Sequence, residues 1–171
     1  HRPTVLWSNP NGDVVYNDRM IASPVFMFDI FPTPTNVTDV DVGDGDAITA
    51  LTSAHGRILQ FKSKTMYLFN VADSDLLVAY TESSHPFRGV TKPYHVTSIP
   101  NGVAWANEYG VFAYEGDEVI ELMLSQGEEG QRTIKSSSWQ SFFSDNAVVA
   151  YSPLENILFI KRNIDESAET S

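Results

Sequence analysis

HGRILQFKSKTMYLFN, residues 55–70, reads as two short strands around a polar turn at Ser63-Lys64, with Ile58, Leu59 and Phe61 before it and Met66 to Phe69 after it. Moved forward 45 positions, the pattern falls on NGVAWANEYGVFAYEG, where Val103-Ala104 replace Ile58-Leu59, and Phe112 and Tyr114 replace Tyr67 and Phe69. Moved again, it reaches NAVVAYSPLENILFIK, with Val148-Val149, Ile157 and Phe159 in the same places. Gly56, Asn101 and Asn146 open the copies, and turns are expected at Ser63-Lys64, Asn107-Glu108 and Ser152-Pro153.

Elsewhere the chain carries β-branched and aromatic residues in short runs bounded by Gly, Pro, Asn, Asp and Ser, and lacks a convincing helical stripe. Helix should be scarce. Further strands are expected at Ala47 to Leu51, at DLLVAY (75–80), at Tyr94 to Ile99 and at DEVIELM (117–123), which brings each unit to about four strands. The fold predicted is all-β: propeller-like blades of short antiparallel strands, period about 45 residues, forming part of a larger propeller or chain. A β-sandwich with accidental self-similarity is the alternative. At this period 171 residues supply fewer than four blades, short of the usual closed ring.

The predicted organisation is a partial first blade with a Pro-rich and acidic excursion over 1–46, blades over 47–164 with copies near 47–80, 94–123 and 139–164, and an acidic tail over 165–171. TVLWSN and GDVVYN are strands of the first blade, while SPVFMFDIFPTPTNVTDV is an excursion in which Pro32 and Pro34 rule out a central strand. The start at His1 and the tail DESAETS read as edges cut from something longer. Ile58, Leu59, Phe61, Tyr67, Phe69, Trp105, Phe112, Tyr114 and Phe159 are the expected core, and Gly56, Gly102, Gly110 and Gly116 the expected turn glycines.

Composition narrows the function. Hydrophobic residues make up 42% of the chain, enough for a sizeable core. Eleven basic against 22 acidic side chains, net −11, argue against wrapping nucleic acid. No apolar run approaches the roughly 20 residues of a membrane span, and the absence of cysteine removes disulfides and thiolate metal sites.

DVDVGDGD, residues 39–46, is the most site-like feature: Asp39, Asp41, Asp44 and Asp46 with two glycines are a weak candidate for an oxygen-lined cation loop. Placing Gly45 sixth, as an EF-hand requires, puts Val40 and Val42 at ligand positions, so a solvated loop is the better reading. His55, His85 and His95 accompany many Ser and Asp, but no nucleophile elbow or zinc-protease pair appears, and His85 and His95 are assigned surface or hydrogen-bonding roles. GDGD lacks the glycine and lysine pattern of a phosphate loop. Trp105, Tyr109, Phe112 and Tyr114 read as blade packing rather than a carbohydrate platform, and Lys62 with Lys64 is the closest basic cluster, too small for a nucleic-acid stripe. No catalytic residue, cofactor or resident metal is assigned.

The succession LWSN, then VDVGDGDAITALTSAHGRILQFKSKTMYLFN, then GVTKPYHVTSIPNGVAWANEYGVFAYEGDEVIEL resembles the β-propeller structural proteins of tailed bacteriophages, of the tail-tube or nozzle type below the portal. The positions carrying it are Trp7-Ser8, Gly43 to Asp46, Ile48 and Leu51, Gly56 to Lys62, and Gly102 to Gly116, within residues 4–123. The resemblance implies a non-enzymatic virion component near the portal vertex: a homo-oligomeric ring contacting portal, adaptor or other tail proteins, with DNA passing through and no sequence-specific binding. The net negative charge suits a wall past which a polyanion slides. A carbohydrate-binding or glycan-hydrolysing propeller used in host recognition is the alternative; it requires acids and aromatics clustered at one end of a tunnel.

Overall fold

A computed structural model describes residues 6–9, 12–24, 26–31, 37–40, 45–71, 80–124 and 134–162. Strands β1 (Leu6–Asn9) and β2 (Gly12–Val15) pair as one antiparallel ribbon, and β3 (Arg19–Ile21) and β4 (Val37–Asp39) as another. A four-stranded meander follows: β5 (Ile48–Ala54), β6 (Arg57–Lys62), β7 (Thr65–Asn70) and β8 (Tyr80–Pro86). A second comprises β9 (Val96–Ile99), β10 (Gly102–Asn107), β11 (Gly110–Glu115) and β12 (Glu118–Glu121). Helix α1 (Ser136–Phe142) precedes a final ribbon, β13 (Val148–Ser152) and β14 (Ile157–Lys161). Among the described residues these antiparallel sheets close into neither a barrel nor a propeller ring.

Local chemistry explains the meanders. His55-Gly56 and Gly116-Asp117 both take positive φ, the geometry of two-residue type I′ turns whose twist matches their flanking strands. The hairpin of the first meander recurs in the second 45 residues later in register: Phe61↔Met66 becomes Ala106↔Val111.

Alternation then assigns each side chain to a face. Leu59, Phe61, Met66 and Leu68 of the first meander meet Val103, Trp105, Phe112 and Tyr114 of the second, with Val90 of the connecting segment between them. Tyr67 and Phe69 turn the other way and pack with Met20 and Val40. Ala106 and Val111, on the far side of the second meander, meet Trp139 and Val149. The result is a stack, in chain order. Each fully buried aliphatic or aromatic side chain adds roughly 1.5–3 kcal/mol from removal of apolar surface. Strand contacts repeat as well: β5 lies against β10, and β9 against β13, so the leading strand of one sheet touches the corresponding hairpin strand of the next.

Leu59, Phe61, Tyr67, Phe69, Trp105, Phe112 and Tyr114 occupy the core as expected, and Ile58 packs at its margin. Phe159 does not: it is 48% exposed. The pair Val148↔Lys161 corresponds to Gly102↔Glu115, so both strands of the third hairpin are displaced by 46 residues, not 45. A slip of one residue reverses every side chain in a strand. Val149, Leu158 and Ile160 therefore face inward, while Val148, Ile157 and Phe159 face out.

The third copy, expected over 139–164, contains helix where its first strands were anticipated. Phe142 and Phe143 lie three and four residues after Trp139, whose ring stacks on Phe143 and lies tilted against Phe142. The turn expected at Asn107-Glu108 is Glu108-Tyr109, and Ser152 ends β13 before a turn over Pro153–Asn156. Of DLLVAY, residues 75–79 lie outside the described residues, as does the tail at 165–171; Tyr80 opens β8. Gly102, expected to hold a turn, opens β10 instead, where a Cβ would meet the Tyr114 carbonyl oxygen of the paired strand at 1.8 Å.

Trp105→Ala should lower unfolding free energy by about 3 kcal/mol or more, because it removes a fully buried aromatic between two sheets. Urea denaturation checks this, and a midpoint equal to wild type would exclude the packing described.

Candidate functional site

Sheet junctions and the cleft beside them hold the most organised polar chemistry. Lys62 is fully buried; its Nζ lies 2.9 Å from Asp18 Oδ1 and donates to the Val40 carbonyl at 3.1 Å. Asn107 stands at the same position one repeat later. Its Nδ2 donates to the carbonyls of Phe87 and Gly89, and its Oδ1 accepts from the amides of Tyr109 and Gly110. Both side chains thus reach back to the segment that leads into their own sheet.

The backbone of the same positions reaches forward. Ile48 N–H donates to the Asn17 carbonyl at 3.0 Å, Val90 N–H to the Lys62 carbonyl at 2.9 Å, and the Trp139 indole Nε1–H to the Asn107 carbonyl at 2.8 Å. These carbonyls are spaced 45 residues apart. Gly89 makes the middle junction possible, because a Cβ there would lie 2.3 Å from the Lys62 carbonyl oxygen. Strand propensity signals neither Lys62 nor Gly89.

A cleft of about 740 Å³ opens between the leading strands β5 and β9, with Tyr16 and Asn17 at its side. Thr49, Thr52, Thr91, Thr97 and Ser98 bring hydroxyls to it, Lys92 the charge and Tyr16 the aromatic ring. Thr49 Oγ1 already bonds the carbonyls of Phe61 and Val90, tying the first meander to the connecting segment. A smaller hollow of about 190 Å³ holds Glu108, Tyr109, Phe143 and Asp145, below the ~300 Å³ typical of small-molecule sites. There Asp145 Oδ1 accepts from the Thr91 hydroxyl.

The proposed cation loop resolves in part. Asp39 accepts two 2.7 Å hydrogen bonds from Arg19, whose guanidinium also lies over the Tyr16 ring; the Arg19 bonds hold this carboxyl below the usual range. Asp46 Oδ2 accepts from the Lys64 amide at the β6–β7 turn. Asp41 and Asp44 lie outside the described residues, among which no cluster of three metal-ligating side chains occurs.

The histidines are dispersed. His55 sits beside the Tyr114 ring, and His85 Nε2 pairs with the Ser83 hydroxyl at 2.9 Å. His95, assigned to a surface or hydrogen-bonding role, is fully buried; Nε2 contacts the Asp145 carbonyl at 3.3 Å, Tyr94 and Phe143 flank the ring, and Nδ1 has no partner. Tyr109 is exposed at a turn, apart from the packed Trp105, Phe112 and Tyr114. Burial and a hydrogen bond to Asp117 push Tyr114 up to about 12. Arg57 joins that group, forking to Glu82 and reaching Asp117, and so links the two meanders at their turn ends.

In comparisons with known proteins, the chain matches no family model, no curated protein and no solved structure.

Lys62→Met should destabilise by about 3 kcal/mol, since it strands Asp18 and the Val40 carbonyl, and Asp18→Asn added to it should restore part of the loss. Paired urea titrations of the single and double variants check the coupling.

Burial lowers His95 below its ordinary value of 6.5, and the Asp145 carbonyl only partly opposes this. The unfolded chain therefore takes up the proton first, so stability is complete above that ordinary value and declines as pH falls below it. Melting temperature should drop between about pH 7 and pH 5.5, and less steeply in His95→Phe; His85, also lowered by burial, keeps some slope. Identical slopes in the two proteins would contradict the assignment.

Proposed function

We propose that this chain supplies a run of β-propeller blades to a structural protein of the tailed-phage tail or nozzle, where it acts as scaffold and channel wall rather than catalyst. The observation that carries the blade reading is the set of carbonyls on Asn17, Lys62 and Asn107, each gripped by the segment leading to the following sheet. A junction repeated in space at the sequence period is what successive blades require. The phage assignment rests on the resemblance of residues 4–123.

The cleft between β5 and β9 fits a conduit wall: its lining is rich in hydroxyls, and Lys92 is its one charged member among the described residues. Lys62, part of the closest basic cluster in the sequence, is buried against Asp18 and offers no hold to DNA. A glycan site of the alternative kind would place acids with several aromatics in the larger cleft, whose described lining has Tyr16 and no carboxylate. A ring built on the portal vertex would pass DNA without reading its sequence.

Gold labelling of intact and DNA-emptied particles with an antibody to this chain tests the reading by electron microscopy. Label at the tail or portal vertex is expected; label at fibre tips would favour glycan recognition, and absence from particles would reject a virion role.

A further inference from the structure

Asp145, in the segment between α1 and β13, ties that segment to residues 91–95, which lead into β9 of the second meander. Its carboxylate accepts from the Thr91 hydroxyl at 2.9 Å, and its carbonyl accepts from the Tyr94 hydroxyl at 2.8 Å and from His95 Nε2 at 3.3 Å. A carbonyl only accepts, so Nε2 carries the hydrogen of the neutral ring and Nδ1 is the bare nitrogen. Nδ1 is buried and has no hydrogen-bond partner. His95 is fully buried at the end of a one-turn 3-10 helix, Pro93–His95, with the Tyr94 and Phe143 rings set T-shaped against it, their centroids 5.2 and 5.0 Å away. The arrangement does not recur at the preceding joint: 45 residues earlier in register, Ala50 holds the place of His95 and packs against the core between the meanders, and Pro100 holds the place of Asp145.

We infer that acid opens this joint: protonation of His95 frees Asp145 and the residues around it from residues 91–95 while both meanders stay folded. A proton added to the closed joint goes to Nδ1, where it creates a buried N–H without an acceptor and a charge walled by two aromatic rings. Opening returns both to water. Few charges offset that cost. The Asp145 carboxylate attracts an imidazolium, but it is exposed and already engaged with Thr91, while Lys92 repels it. Strands β5, β9, β10 and β13 and helix α1 carry no Asp, Glu, Lys, Arg or His, and the remaining titratable groups on the elements around the ring, Tyr94 and Tyr151, ionise far above neutrality. Burial thus holds His95 below its ordinary value of 6.5, so the opened joint takes up the proton first; closure is complete above that value and weakens as pH falls below it. The opening stays local because the core between the meanders is the larger one and holds no group that titrates near neutrality, whereas the joint rests on the smaller cluster of Ala106, Val111, Met123, Trp139 and Val149. The inference does not depend on the tail assignment.

Hydrogen–deuterium exchange of the complete chain, read by peptide mass spectrometry at about pH 7.5 and about pH 5.5 and corrected for the pH dependence of intrinsic exchange, tests the joint. This window lies above the ordinary carboxylate range, so histidines are the side chains that titrate in it. Protection of the amides of residues 143–152 should fall about threefold or more, toward the roughly tenfold ceiling that one proton sets a pH unit below 6.5, while β6, β7, β10 and β11 change by less than about twofold. His95→Phe should remove the response, and His85→Gln, which alters the other histidine lowered by burial, should keep it. Near-ultraviolet circular dichroism confirms that each variant folds. The wild type also carries a test unaided: the Trp139 indole N–H, bonded across the joint to the Asn107 carbonyl, should exchange in step with residues 143–152 when followed by nuclear magnetic resonance, and the Trp105 indole N–H, in the core between the meanders, should not. Equal loss of protection in every sheet, unchanged protection at 143–152, a response that survives in folded His95→Phe, or one lost in His85→Gln would each overturn the acid-opened joint.

Discussion

Three carbonyl oxygens, on Asn17, Lys62 and Asn107, fix how the sheets follow one another. Those of Lys62 and Asn107 end strands at a turn and accept from the segment that leads to the next sheet, while that of Asn17 lies within a turn and accepts from the first residue of β5. Lys62 and Asn107 are buried, and buried main-chain oxygens need partners, so at these two positions the junction is a requirement as well as a tie. With that spacing set, Val90 falls between the meanders, Thr49 finds the Val90 carbonyl, and the Phe61–Trp105 edge contact closes the central core. The side chains of Lys62 and Asn107 answer in the opposite direction, which locks each sheet to the segment before it as well as the one after.

Much of this was legible in the sequence because alternation and turn chemistry are local. Residues 55–70 and 101–116 announce their hairpins, and His55-Gly56 and Gly116-Asp117 supply the positive φ of the turns that join β5 to β6 and β11 to β12. The third copy shows the limit of that method. A four-residue turn over Pro153–Asn156 keeps the apolar pattern while displacing it by one, and a pattern alone cannot tell Phe159 in from Phe159 out when Leu158 and Ile160 are equally apolar. Helix α1 carried a signal in the spacing of Trp139, Phe142 and Phe143, but only two turns long.

The junction chemistry was not legible. Lys62 looks like a surface lysine until Asp18 and Val40 arrive from more than twenty residues away, and Gly89 looks like a loop glycine until the Lys62 carbonyl fills its Cβ space. The acidic run drew attention by composition, yet Asp39 is engaged with Arg19 and Asp46 caps a turn amide, both partners being invisible to a local reading. Contacts of this range tie one sheet to the next, and side-chain type alone says little about them.

The donors at the three junctions differ in kind. At Asn17 and Lys62 the hydrogen comes from the main chain, so any residue other than proline at Ile48 or Val90 keeps it. At Asn107 it comes from the indole of Trp139, and a single codon change removes it. The joints therefore differ in what sequence drift can break: the first asks nothing of a side chain at its donor, the second requires glycine at position 89, and the third rests on the one indole that also packs the last ribbon against Ala106 and Val111.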